Sequence, residues 1–268
     1  MFARDSRVFN IILQRGIKMF WAILSGIEGN LTAYQAVIAD INRQHPKVTD
    51  LYILGDIVGV HPECSALLQR LKTPQKTELQ PQICTGWWEE QCFILYGLST
   101  LTEPTELIAK YGADMVQMLW DTVTHSEALW LRNLDFGFHE FDCLLIHGST
   151  VGYNDLLTPE TPGWVILDRL KRTEADNLFC GRSGLTFEYE IQTGTINSNI
   201  QTLNTNQQQT EKVTTTKNRV IGVGNVGKNI GVATYTLYNP NTNQVKFKTV
   251  RYGPKKGFQI QKKINPTP

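Results

Sequence analysis

Leu51-Tyr52-Ile53-Leu54-Gly55-Asp56-Ile57-Val58-Gly59 is the stretch on which the fold turns. An unbroken apolar run stops at a glycine and a carboxylate. Such a run reads as a strand buried on both faces, the kind a parallel sheet needs. Upstream, Phe20-Trp21-Ala22-Ile23-Leu24-Ser25 follows the same rule and ends at Gly26 and Gly29. Between the two runs, Asn30 is placed to cap a helix whose apolar positions Leu31, Tyr34, Val37, Ile38 and Ile41 recur at helical spacing, and His45-Pro46 stops it. The unit is β-loop-α-β. Its strands are therefore expected to be parallel, with their following loops at one sheet edge.

The pattern continues on the C-terminal side. The spacing predicts a helix from Glu63 to Leu71, a strand from Gln82 to Thr85, helices between Thr105 and Leu134, and a strand Cys143 to Ile146 that runs into His147-Gly148-Ser149. A helix from Trp164 to Arg172 then leads to Leu178-Phe179-Cys180 and Gly181. Beyond it, Thr186 to Ile191, Val220 to Val223, Val232 to Tyr238 and Val245 to Tyr252 read as antiparallel strands joined by turns such as Asn239-Pro240-Asn241. Residues 192–218 are dominated by Asn, Gln and Thr, a composition too poor in large apolar groups to pack, and are expected to be a disordered loop inserted in a hairpin.

Composition bounds the function. The 268 residues are 41% hydrophobic and 19% charged, with a formal net charge of +1, so no overall field draws the chain to nucleic acid or acidic lipid. Cys64, Cys84, Cys92, Cys143 and Cys180 are widely spaced, form no CxxC pair and read as reduced, buried thiols of a cytoplasmic protein. No apolar stretch approaches the roughly 18 residues of a membrane span. Residues 1–18 are basic and partly apolar, and read as a disordered leader or the result of an upstream start; a targeting or membrane-surface segment is the alternative. Residues 254–268 read as a solvated basic tail, leaving 19–253 as the domain.

Taken in order, the loops after the strands resemble the motifs of calcineurin-like metallophosphoesterases. Gly26-Ile27-Glu28-Gly29-Asn30 stands where that family has D-x-H-G-N, Gly55-Asp56-Ile57-Val58-Gly59 where it has G-D-x-x-G, and Gly86-Trp87-Trp88-Glu89 where it has G-N-H-D or G-N-H-E. His147-Gly148-Ser149 matches H-G-S, and Gly181-Arg182-Ser183-Gly184 stands in place of G-H-T-H. Ile221-Gly222-Val223-Gly224-Asn225-Val226-Gly227 is similar to the family's I-N-P-G-S-V-G segment. The resemblance implies an α/β fold, a four-layer αββα sandwich of two mixed sheets flanked by helices.

It also implies a site. In the family two divalent metals roughly 3.5–4 Å apart clamp a phosphate ester and activate a water for in-line attack. Carried over position by position, the first Asp is Gly26, the first His is Glu28, the Asn ligand is Trp87, the catalytic His is Trp88, and the two histidines of G-H-T-H are Arg182 and Gly184. Asp56 and His147 keep the family residue. Glycine offers no ligand, indole only an N–H, and guanidinium a fixed positive charge where cations would bind. Glu89 matches the acidic end of its motif and is left without a catalytic partner.

These substitutions predict a pseudoenzyme that has kept the fold as a binding or scaffold module, with no cofactor. The pocket would be formed by Gly26, Glu28, Asn30, Trp87, Trp88, Arg182 and Asn225, its partner a protein or a phosphorylated small molecule. Arg182 is expected to pair with Asp56, in place of metal–carboxylate electrostatics. His147 reads either as a packed histidine bonded to backbone or as a ligand, and the two tryptophans either as filler of the pocket or as an aromatic platform. One alternative is an active phosphoric-ester hydrolase with His147 as base and Arg182 as phosphate clamp, either metal-free or with one weak divalent metal (Mn, Fe, Zn or Mg) on Glu28, Asp56 and His147. A further alternative is a sensor of phosphorylated nucleotides.

Overall fold

The computed structural model describes residues 19–172, 175–192, 198–202, 205–209 and 217–253. The leader 1–18 and the tail 254–268 lie outside the described residues. The chain runs β1 (Trp21–Leu24), α1 (Leu31–Ile41), β2 (Asp50–Leu54), α2 (Cys64–Lys72), β3 (Gln82–Cys84), α3 (Trp87–Leu95), α4 (Thr105–Tyr111), α5 (Asp114–Thr122), α6 (His125–Arg132), β4 (Gly137–Glu140), β5 (Cys143–Ile146), α7 (Gly163–Lys171), β6 (Asn177–Cys180), β7 (Thr186–Gln192), β8 (Ser198–Thr202), β9 (Thr205–Gln209), β10 (Lys217–Val223), β11 (Val232–Asn239) and β12 (Gln244–Arg251).

Two five-stranded sheets carry the fold, with strand orders β12-β11-β1-β2-β3 and β4-β5-β6-β10-β7. β1, β2 and β3 are parallel in the first, and β5, β6 and β10 in the second; the antiparallel pairs are β1–β11, β11–β12, β4–β5 and β7–β10. The doubly apolar strands are explained by what each face meets. Trp21, Ile23, Tyr52 and Leu54 point between the sheets, where they join Cys143, Leu145, Phe179, Ile221, Val223 and Tyr238 in one buried cluster. Their neighbours Ala22, Leu24, Leu51 and Ile53 face the other way, into the core shared with α1, α2 and α3. Ile166 and Leu170 of α7 cover the outer face of the second sheet. The result is the expected mixed-sheet sandwich flanked by helices.

Asn30 caps α1, its Oδ1 accepting from Ala33 N at 2.9 Å. Three features depart from the sequence reading. β4 was not foreseen: Gly137-Phe138-His139-Glu140 holds one large apolar residue, and pairing with β5 rather than burial makes it a strand. β10 is antiparallel to β7 but parallel to β6, because it returns through the sheet interior rather than extending a meander. Within the Asn/Gln/Thr-rich stretch expected to be structureless, β8 and β9 pair as a hairpin, Thr202 opposite Thr205. The ladder pairs the backbone of the two strands, which needs no apolar composition.

Candidate functional site

The loops that follow the parallel strands meet at one edge and are tied to one another through backbone. Gly26, Glu28 and Gly29 donate their N–H groups to the carbonyls of Gly55, Asp56 and Ile57 at 3.2, 2.9 and 2.8 Å. Gly181 N and Arg182 N both donate to His147 O at 2.8 Å, and Val226 N and Gly227 N reach Ser25 O and Gly26 O at 3.0 and 2.8 Å. Each loop is thereby fixed by another, so the side chains they carry are placed by the sheets rather than by their own flexibility.

Glu89, fully buried on the first turn of α3, organises this edge. Its carboxylate accepts from Asp56 N at 2.8 Å, Ile57 N at 2.9 Å, Val58 N at 3.0 Å and Gly86 N at 2.7 Å. Successive amides of the β2 loop make an anion-binding concavity, and the protein fills it with its own carboxylate. The approach demands glycine: Gly55 has φ +64°, and a Cβ there would lie 2.5 Å from Gly86 Cα. Burial and the Asp56 charge hold the Glu89 carboxyl above its usual range, and the amide donors work against that rise.

Asp56 follows in the left-handed region at φ 52°, a conformation Asp tolerates better than most residues. Its Oδ1 accepts from Trp88 N at 2.8 Å. Its Oδ2 lies 3.3 Å from His147 Nε2 and 3.9 Å from Arg182 Nη1, so histidine, not arginine, is the closer partner. His147 Nδ1 donates to Leu54 O at 2.8 Å, which directs Nε2 at the carboxylate. Burial opposes charge on both groups, yet their mutual attraction outweighs it: Asp56 is held below the usual carboxylate range and His147 above the usual imidazole range.

Arg182 is held by more than the carboxylate. Its guanidinium carbon stands 4.6 Å from the centre of the Trp87 ring, and Nη2 donates to Asn154 Oδ1 at 3.1 Å. Trp87 is fixed in turn by Nε1 donating to Glu106 Oε2 at 2.9 Å. Trp88 meets Trp87 edge-on at 5.1 Å and stacks on Tyr111 at 5.4 Å, while Lys110 Nζ lies 5.1 Å above the Trp87 ring. Both tryptophans are buried, so they fill the site, and the end of α4 closes over them.

Glu28, at φ 50°, has its carboxyl raised to about 7 by burial first and by the Asp56 charge second, with Lys228, the Trp88 side chain and Lys110 pulling it down. Asn225 Nδ2 donates to Gly184 O at 2.8 Å and its Oδ1 has no partner, so it holds the β6 loop. Asn30 reaches across as well, its Nδ2 donating to Tyr252 Oη at 3.1 Å. Gly26, at φ +60°, packs its α-carbon against Asn225, where a Cβ would sit 3.2 Å from the Asn225 Cβ.

A divalent metal is a poor fit to this donor set. Gly26, Trp87, Trp88 and Gly184 present no side-chain lone pair, both oxygens of Asp56 are engaged, and the fixed charges nearest them are positive. Among the described residues no group of three or more His, Cys, Asp and Glu side chains is arranged to hold a metal ion. Glu28, Asp56 and His147, the residues of the expected weak site, form no such group. Glu89, expected to lack a catalytic partner, has backbone partners instead. A glutamate three residues after the residue that opens a helix is the capping signal that marks it. Lys110, Tyr111, Glu106 and Asn154 carry no comparable signal, since only tertiary packing brings them here.

No protein-family model and no curated protein matches the chain. Solved structures do. A metallophosphoesterase from Sphaerobacter thermophilus is 17% identical, with a TM-score of 0.58 over 88% of this chain and 90% of its own. A cold-active protein-tyrosine phosphatase of a psychrophilic Shewanella species matches at 14% identity and TM-score 0.46, over 88% and 81% of the two chains. A Vps29 variant from Entamoeba histolytica matches at 11% and 0.38, over 88% and 100%. Two mixed sheets, helices outside them and loops converging on Asp56 and His147, together with the Sphaerobacter likeness, establish that this chain has the metallophosphoesterase fold.

Proposed function

We propose that the chain is a catalytically degenerate metallophosphoesterase-like protein, used as a binding or scaffold module. The observation that supports this reading is the company Asp56 keeps: its Oδ2 faces His147 Nε2 at 3.3 Å and the Arg182 guanidinium at 3.9 Å. A carboxylate so compensated has little left to offer a cation, and an ion pair that loses its buried partner is strongly penalised. His147 Nδ1 is committed to Leu54 O, and the buried Nε2 is turned toward Asp56 rather than toward solvent. Trp88 and Tyr111 exclude a substrate from the same volume.

The reading is tested by hydrolysis of bis(p-nitrophenyl) phosphate in Mn²⁺, comparing the protein with Asp56→Asn. The expected result is two indistinguishable rates. Metal-dependent turnover that disappears in the variant would overturn it.

One observation favours a second reading, a module that holds a phosphorylated ligand without cleaving it. Arg182 Nε is buried without a partner, and Lys110 and Lys228 are exposed nearby. Guanidinium suits phosphate. Calorimetry with a nucleotide panel, using Arg182→Ala as control, checks it, and failure of every nucleotide to bind excludes it.

A further inference from the structure

The strap of chain from Leu98 to Tyr111 lies over the two tryptophans of the site and runs between two glycines. Gly97, just past α3, has φ +65°, and Gly112, just past α4, has φ +87°. A Cβ built at either would meet no atom within 4 Å. Glycine with positive φ commonly ends a helix. Open space around both of these also lets the backbone turn there without meeting a neighbour.

Between its ends the strap is lightly held. α4 has seven residues, too few to be stable alone, and Leu107 is its one buried residue. Leu101 and Ile108 are exposed. A cavity of about 330 Å³ separates Leu101, Glu103 and Glu106 of the strap from Glu90 and Ile94 of α3, so carboxylates line both sides of the gap. The Glu90 carboxyl is raised by burial and then by the Glu106 charge, which is repulsion across that gap.

What closes the strap is its grip on the indoles. Glu106 accepts from Trp87 Nε1 at 2.9 Å, Lys110 Nζ stands 5.1 Å above the Trp87 ring, and Tyr111 stacks on Trp88 at 5.4 Å. The indoles themselves belong to α3, which Cys92 and Phe93 root in the core and Glu89 ties to the β2 loop. The strap can therefore lift while the tryptophans stay. We propose that residues 98–111 are a lid that opens as a unit about Gly97 and Gly112 and uncovers Trp87 and Trp88 to a ligand, with the Asp56 loops unmoved. Closed, the lid makes the two indoles filler; open, it leaves them as an aromatic surface beside Arg182, able to stack on a planar or apolar group. The motion is independent of whether a bound ester is cleaved.

The test is hydrogen exchange of the full chain followed by NMR, with the Trp87 indole N–H assigned by its absence in Trp87→Phe. That N–H is bonded to the lid, and the amides of Ile108 and Gly112 are bonded within it, to Pro104 O and Ile108 O. One opening must release all three. They are expected to share one protection factor, at least about tenfold below that of the β1 and β2 amides, as a local opening requires. Tyr111→Ala is expected to speed exchange of the set about two- to twelvefold, the loss of one aromatic contact. Ile23→Val, between the sheets, is expected to speed the β1 and β2 amides by a similar factor, about two- to twelvefold, and to leave the lid set unchanged. Three results overturn the proposal: an indole that exchanges with the sheet amides and follows Ile23→Val, α4 amides that exchange while the indole stays protected, or no protection in either. None uses a phosphate ester, so the lid and the loss of catalysis fail separately.

Discussion

Four backbone amides converge on Glu89, from Gly86 and from the loop that bears Asp56. Removing that carboxylate strands them in a buried place, and each unpaired donor carries its own desolvation penalty. Glu89→Ala is therefore expected to cost at least about 3 kcal/mol in chemical denaturation. Glu28 behaves in the opposite sense. Its folded-state carboxyl stands at about 7, above the ordinary 4.5, so folding takes up a proton between those values. The stability it contributes is present below about pH 4.5 and is lost as pH rises through about 7. Glu28→Gln should thus stabilise the protein at pH 8 by on the order of 2 kcal/mol and make no difference at pH 4. At this scale the sequence showed which residues stand in the loops, and the structure brings Asp56, His147 and Arg182 together. It did not show the order of partners, since the 3.3 Å His147 contact depends on Leu54 O turning the ring. Nor did it show the role of Glu89, whose partners are backbone atoms that no side-chain pattern encodes.

At the scale of elements, α3 and α4 decide whether the site is open. Trp88 sits on the first turn of α3 and packs against Tyr111 at the end of α4. Trp88→Ala removes a buried indole and is expected to cost about 3–5 kcal/mol by denaturation. Tyr111→Ala is expected to cost only about 0.5–1.5 kcal/mol, the value of an aromatic contact, because Tyr111 is 41% exposed. Equal costs would mean that α4 is an integral wall rather than a cover. Strands with unbroken apolar runs were legible in the sequence because burial on both faces leaves no room for polar residues. The helices between Thr105 and Leu134 were legible only as a block, since their amphipathic faces do not reveal what they cover. β4 was illegible for lack of an apolar pattern, and the β8–β9 hairpin because its composition argues against packing.

For the whole molecule, the order of loops along the chain carried more information than any one motif. Each glycine-bounded turn follows a parallel strand, and parallel strands bring those turns to one edge, so the fold could be read from their order. The sheets are also tied together by polar contacts invisible in sequence: Arg219 on β10 donates to Asn177 Oδ1 on β6 at 2.8 Å and to Asn243 O, in the β11–β12 turn, at 3.0 Å. No helix among the described residues is long and apolar enough to cross a membrane. The central proposal is that Asp56, set beside His147 and Arg182, does not hold a divalent metal. Titration of Mn²⁺ into the purified, chelator-treated chain by calorimetry tests that most directly. The account predicts no stoichiometric binding, in the protein and in Asp56→Asn alike; two tightly bound ions per chain, lost in Asp56→Asn, would contradict it.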